Sequence, residues 1–103
     1  MIKHLVRIKT GFFETTLYHL IIDKDILQLK PEKDTHKASI EFKSRDLNSI
    51  ELLKDKGLRI EIIGRDEIIQ GLIEDCKDDK CILDELRHNL KTKIKYEEGY
   101  YEK

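Results

Sequence analysis

Ile82-Leu83-Asp84-Glu85-Leu86-Arg87-His88-Asn89-Leu90 is where the apolar period of this chain changes. Over residues 75–90 the apolar positions Ile82, Leu83, Leu86 and Leu90 fall on one face of a helix. Asp75, Asp78 and Asp79 stand where they cap its first turn. Arg87, His88 and Lys91 stand at the far end, so both charge groups favour the helix dipole. A helix of this length is not stable alone in water, and its aliphatic stripe must pack on something.

Upstream lies the partner. From residue 2 to about 73 apolar residues alternate with polar ones in short runs, the period of half-buried strands. Strands are expected near 2–9, 14–22, 25–30, 37–43, 49–53, 57–63 and 67–73. Gly11, Asp23-Lys24-Asp25, residues 31–35, residues 54–57 and Gly64-Arg65-Asp66 supply the turns between them. Connections this short force most neighbours to pair antiparallel. The expected fold is mainly β: a seven-stranded antiparallel barrel or sandwich capped by one C-terminal amphipathic helix, as a single domain over 1–91.

Downstream, residues 92–103 form a tail that holds Tyr96, Tyr100 and Tyr101 between a basic start (Lys91, Lys93, Lys95) and an acidic end (Glu97, Glu98, Glu102). It reads either as a frayed terminus or, through Lys93-Ile94-Lys95-Tyr96, as a further strand or an arm on a neighbouring subunit. The frayed terminus is the simpler reading.

The composition narrows the class. The 103 residues are 40% charged, yet the net charge is only −1, and the apolar set is dominated by fifteen Ile and thirteen Leu. Bulky aliphatic content that high with so little net charge excludes disorder. Two Cys exclude a disulfide scaffold. No apolar run is long enough for a membrane helix, and the start lacks the apolar region of a signal peptide, so a cytoplasmic domain is expected. Residues 1–37, 38–75 and 76–103 carry net charges of +2, −3 and 0. Basic and acidic residues are interleaved, which argues against a nucleic-acid partner.

The succession Ala38-Ser39-Ile40-Glu41-Phe42-Lys43-Ser44-Arg45-Asp46-Leu47-Asn48-Ser49-Ile50-Glu51-Leu52 is similar to the strand, polar seam and next strand of the pleckstrin-homology-like superfold. Gly57-Leu58-Arg59-Ile60-Glu61-Ile62 and Glu67-Ile68-Ile69-Gln70-Gly71-Leu72-Ile73 resemble that family's last hairpin before its closing helix. The resemblance covers about residues 2–90 and points to the bacterial and GRAM-type branches. It implies a binding or assembly module. Phosphoinositide-binding members carry basic residues across the first two strands. Here Lys3, Arg7 and Lys9 lie on the first, but Thr15-Thr16-Leu17-Tyr18-His19-Leu20 has no Lys or Arg.

Three groups of residues are candidates for a site. A two-residue Gly11-Phe12 turn would make paired numbers in the first hairpin sum to 23, setting His4 opposite His19 as a metal-binding or pH-switch pair. No third ligand is evident, so a plain packed or half-exposed pair is the preferred reading. Phe12 and Phe13 beside Lys9 would enter a membrane interface or a partner's pocket, or else one would fold back to close the barrel, the preferred reading. Cys76 and Cys81, with His88, are spaced too widely for the usual zinc pattern and read as structural; the nearby Asp cluster lacks a calcium-loop pattern. No phosphate loop or nucleophile motif is present, and no cofactor or catalytic residue is expected.

The expectation is a non-catalytic module binding protein, including itself, through an open strand edge, with Lys9, Phe12, Phe13, Tyr96, Tyr100 and Tyr101 as interaction residues. Two alternatives stand beside it: peripheral binding of an anionic membrane through Lys3, Arg7, Lys9, Phe12 and Phe13, and a small metal protein or enzyme using His4 and His19.

Overall fold

The computed structural model describes residues 2–33, 37–74 and 79–99. The alternating runs become strands β1 (Ile2–Lys9), β2 (Thr15–Asp23), β3 (Ile26–Pro31), β4 (Ile40–Lys43), β5 (Leu47–Lys54), β6 (Leu58–Gly64) and β7 (Ile68–Ile73). A 3-10 turn (Ser44–Asp46) joins β4 to β5. Helix α1 (Asp79–Asn89) follows, and an eighth strand, β8 (Lys93–Glu98), comes after it. The expected caps Asp75 and Asp78, and Cys76, lie outside the described residues.

Among the described residues, the eight strands belong to one curled sheet, a half-barrel, in the order β4-β3-β2-β1-β7-β6-β5-β8. Two meanders, β1 to β4 and β5 to β7, meet side by side where β1 pairs with β7. Every pair is antiparallel except β5–β8, which is parallel because α1 carries the chain back across the sheet. The eighth strand extends the sheet beyond the boundary expected at residue 91. Lys93–Glu98 is therefore a strand of this chain's own sheet, rather than a frayed end.

The concave face holds the core. Val6, Leu20, Ile22, Leu27, Leu29, Ile50 and Ile62 are fully buried, and α1 lays Ile82, Leu83 and Leu86 onto them. Ile82, Leu83, Leu86 and Leu90 are all buried, as their spacing predicts. A polar corner fastens the C-terminal end of the helix. The Asp25 N–H donates to the Asn89 carbonyl at 2.8 Å, and Ser44 N–H to the Asp25 carbonyl at 2.9 Å. The buried Ser44 hydroxyl donates to Asp25 Oδ1 at 3.3 Å and accepts from Lys91 N–H at 3.1 Å. Asp25 takes a left-handed φ of 60°, which a short polar side chain tolerates and the two-residue β2–β3 turn requires.

The first hairpin corrects one expectation. Lys9 pairs with Thr15, and Thr10 N–H donates to the Glu14 carbonyl, so three residues, Gly11-Phe12-Phe13, form the loop and paired numbers sum to 24. This register turns Tyr18, Leu20 and Ile22 inward together. A slip of one residue would turn them out and draw in His19 and Leu17 instead.

Candidate interaction surface

The register separates the two histidines. His4 lies opposite Leu20 and His19 opposite Leu5, so the imidazoles point to opposite faces of the sheet and do not form the expected pair. His4 faces the helix, where its Nε2 hydrogen-bonds Glu85 Oε1 at 2.7 Å and ties β1 to α1. The Cys81 thiol, exposed on the helix, donates to Glu85 Oε2 at 3.8 Å. Among the described residues, no group of three or more metal-ligating side chains converges.

Phe12 and Phe13 do not fold back. They are 83% and 95% exposed, because the three-residue loop carries them past the end of the core. Phe42 is the one of this chain's phenylalanines whose ring is buried in the core instead. The two rings meet edge to face with centroids 4.5 Å apart. They stand beside an open groove of about 770 Å³ across the convex side of β1, β7 and β6.

Strand pairing explains how the groove acquires its lining. Arg7 lies opposite Leu72, and Leu72 opposite Arg59, so one outward row crosses three strands. Lys9 continues the outward row of β1, and Lys56 and Gly57 in the β5–β6 turn close the far side. Ile68, Gln70 and Leu72 form the outward row of β7, with Ile68 60% and Leu72 37% exposed. Leu72 thus lines the groove with Phe12 and Phe13, while Ile68 is exposed at the other end of β7.

The groove is rimmed by Arg7, Lys9, Lys56 and Arg59 against Glu14 and Asp55. Arg7 lies 3.6 Å from Glu74, and Arg59 lies 4.0 Å from Asp55. Lys9 and Lys56 form no ion pair among the described residues. Lys3, the other basic residue of β1, is exposed on the same convex face.

Tyr96 is placed by β8, and Tyr100 and Tyr101 lie outside the described residues. The Tyr96 ring packs against the core, and its hydroxyl donates to Asp79 Oδ2 at 3.0 Å. Lys54 Nζ lies 3.5 Å from the other oxygen, so Asp79 binds α1 to both β5 and β8. Burial, then the Asp79 hydrogen bond and the Asp79 and Glu98 charges, push the Tyr96 hydroxyl up to about 12. The folded state therefore holds that proton more tightly than the unfolded chain. The resulting stability is complete below about pH 10, the ordinary tyrosine value, and is lost as pH rises through about 12. Denaturation midpoints measured from pH 9 to 12 should fall less steeply in Tyr96→Phe than in the wild type.

Sequence reading missed a second basic cluster: Lys24, Lys43, Arg45 and Lys91 around the Ser44 corner. These residues come from three distant segments, so no local charge run announces them. They gather by the C-terminal end of α1, where the helix dipole favours cations.

A curled sheet of two meanders closed by a helix is consistent with a pleckstrin-homology-like arrangement. The chain is similar to one in a solved structure of the Spt16D Pob3N heterodimer, with a TM-score of 0.65 at 13% identity. The match covers 97% of this chain and 54% of that one, so this chain spans about half the length of its neighbour. At that identity the likeness shows the fold alone. No family profile matches the sequence, and no curated protein does. Among the described residues, no helix is long and apolar enough to cross a membrane.

Proposed function

We propose that this chain is a non-catalytic protein-binding module of pleckstrin-homology-like type, and that its partner docks on the convex groove beside Phe12 and Phe13. The observation that carries this reading is the exposure of Phe12, Phe13 and Leu72 around one groove, with Ile68 exposed further along the same strand as Leu72, since apolar side chains grouped in this way mark contact surfaces. Lys9 and Lys56 suit a partner segment that brings acidic residues beside an apolar anchor. That the structural neighbour belongs to a heterodimer supports the protein class of partner.

An anionic membrane is the second reading, favoured by aromatic rings at a protruding tip. The groove is concave and carries Glu14 and Asp55 on its walls, which suits a peptide better than a lipid surface. A photo-crosslinking residue at position 13, in cells that make the protein, separates the two. A discrete protein adduct that disappears in Lys9→Glu/Lys56→Glu supports the proposal. Lipid adducts, or co-sedimentation with phosphatidylserine vesicles at low salt without a protein adduct, would replace it with the membrane reading. Labelling no stronger than from exposed Lys24 would dismiss both.

A further inference from the structure

We infer that a second copy of this chain pairs with the open edge of β8, antiparallel, with Lys95 of each copy at the two-fold axis. Among the described residues β8 ends the sheet order and pairs on one side only, with β5. Gly99 N–H donates to the Lys54 carbonyl. Backbone groups alternate along a strand, so Lys93, Lys95 and Glu97 direct theirs at β5. Ile94, Tyr96 and Glu98 direct theirs at the open edge. That edge is a ladder waiting for a strand. The opposite edge, β4, offers only four residues.

The charges of β8 choose orientation. Its first half carries Lys93 and Lys95, its second Glu97 and Glu98. A parallel copy would set like charges abreast, whereas an antiparallel copy sets Lys against Glu. A two-fold axis perpendicular to the sheet keeps both concave faces on one side, which requires paired numbers to sum to an even value. The sum 190 places Lys93 opposite Glu97 twice on the exposed face. It also places Ile94 opposite Tyr96 twice on the face that packs against the core.

The next even sum, 192, opposes Ile94 to Glu98 and needs Lys95 for Glu97, although Lys95 already lies 3.9 Å from Glu51. Lys93 and Glu97 form no ion pair among the described residues, so the favoured register uses the charges that are spare. In it Ile94 and Tyr96 of the two copies exchange backbone hydrogen bonds, and Glu51 of each copy offsets the two central lysines. One short strand pair buries little area, so the dimer is weak and concentration-dependent.

Sedimentation equilibrium on the full chain tests the register through a charge swap. Lys93 and Glu97 are both exposed, so neither substitution disturbs the core. Lys93→Glu and Glu97→Lys should each weaken the wild-type dimer about tenfold, because like charges then face each other twice. An equimolar mixture of the two variants should dimerise again, as should the double variant Lys93→Glu/Glu97→Lys. A wild type that stays monomeric to millimolar concentration overturns the inference. So does a dimer that neither single variant weakens. Lys9→Glu/Lys56→Glu should leave the dimer intact, so this test and that of the groove fail separately.

Discussion

Gly71→Val is expected to cost about 3 kcal/mol, a large fraction of the stability of a small domain. Gly71 faces the core on β7, opposite Ile8 of β1, at the junction of the two meanders. A Cβ there would stand 2.7 Å from Ile8 Cδ1, 2.9 Å from Val6 Cγ1 and 3.0 Å from the Arg7 carbonyl oxygen. The two side chains belong to the packed core and the third atom is backbone, so little can yield. The strand preference of Val and the lost freedom of Gly in the unfolded chain favour the substitution by about 1 kcal/mol each at most. The clash outweighs them. Urea denaturation should show Gly71→Ala intermediate between wild type and Gly71→Val. A Val variant as stable as the wild type would mean that the junction is looser than these distances.

Leu86→Ala should cost about 2–5 kcal/mol, the range for a large aliphatic side chain removed from a core that cannot fully collapse. Leu86 is fully buried at the centre of the stripe that α1 presents to the sheet. The helix has eleven residues and gains its stability from that contact rather than from its own hydrogen bonds. Loss of the side chain should therefore weaken α1 and the concave core together, in one transition rather than two. Leu83, at 8% exposure, lies closer to the margin and should cost less when changed to Ala. Equal midpoints for the Leu86 and Leu83 variants would show that the helix bears on the sheet evenly.

Seven strands and the helix were legible in the sequence because each depends on local period. Ile82, Leu83, Leu86 and Leu90 can share a buried face only as a helix, and the runs before them alternate as strands do. The register of β1 on β2 was less accessible, because it turns on whether the Gly11 loop holds two residues or three. Local turn preference suggested two, whereas burial of Tyr18, Leu20 and Ile22 in one row demands three. That single residue separated His4 from His19 and sent Phe12 and Phe13 outward. β8 was visible only as an option, since its partner β5 lies more than forty residues away in the chain. Of the proposed interaction surface, Lys9, Phe12 and Phe13 could be named in advance. Ile68, Leu72, Lys56 and Arg59 join them only through strand order, which no local pattern encodes.

The meeting of β1 with β7 also bears on how the chain reaches this state. Each hairpin within a meander closes a short loop, and such closures take microseconds. Val6, Arg7 and Ile8 must instead find Ile73, Leu72 and Gly71, more than sixty residues further along the chain. The entropy of that long closure is spent before the core beneath it is buried. Folding should then be limited by the encounter of two half-formed sheets, on the millisecond-to-second scale of proteins dominated by distant contacts. Until they meet, β1 and β7 each present an unpaired side, so the newly made chain is most open to aggregation along the line that later becomes the middle of its sheet.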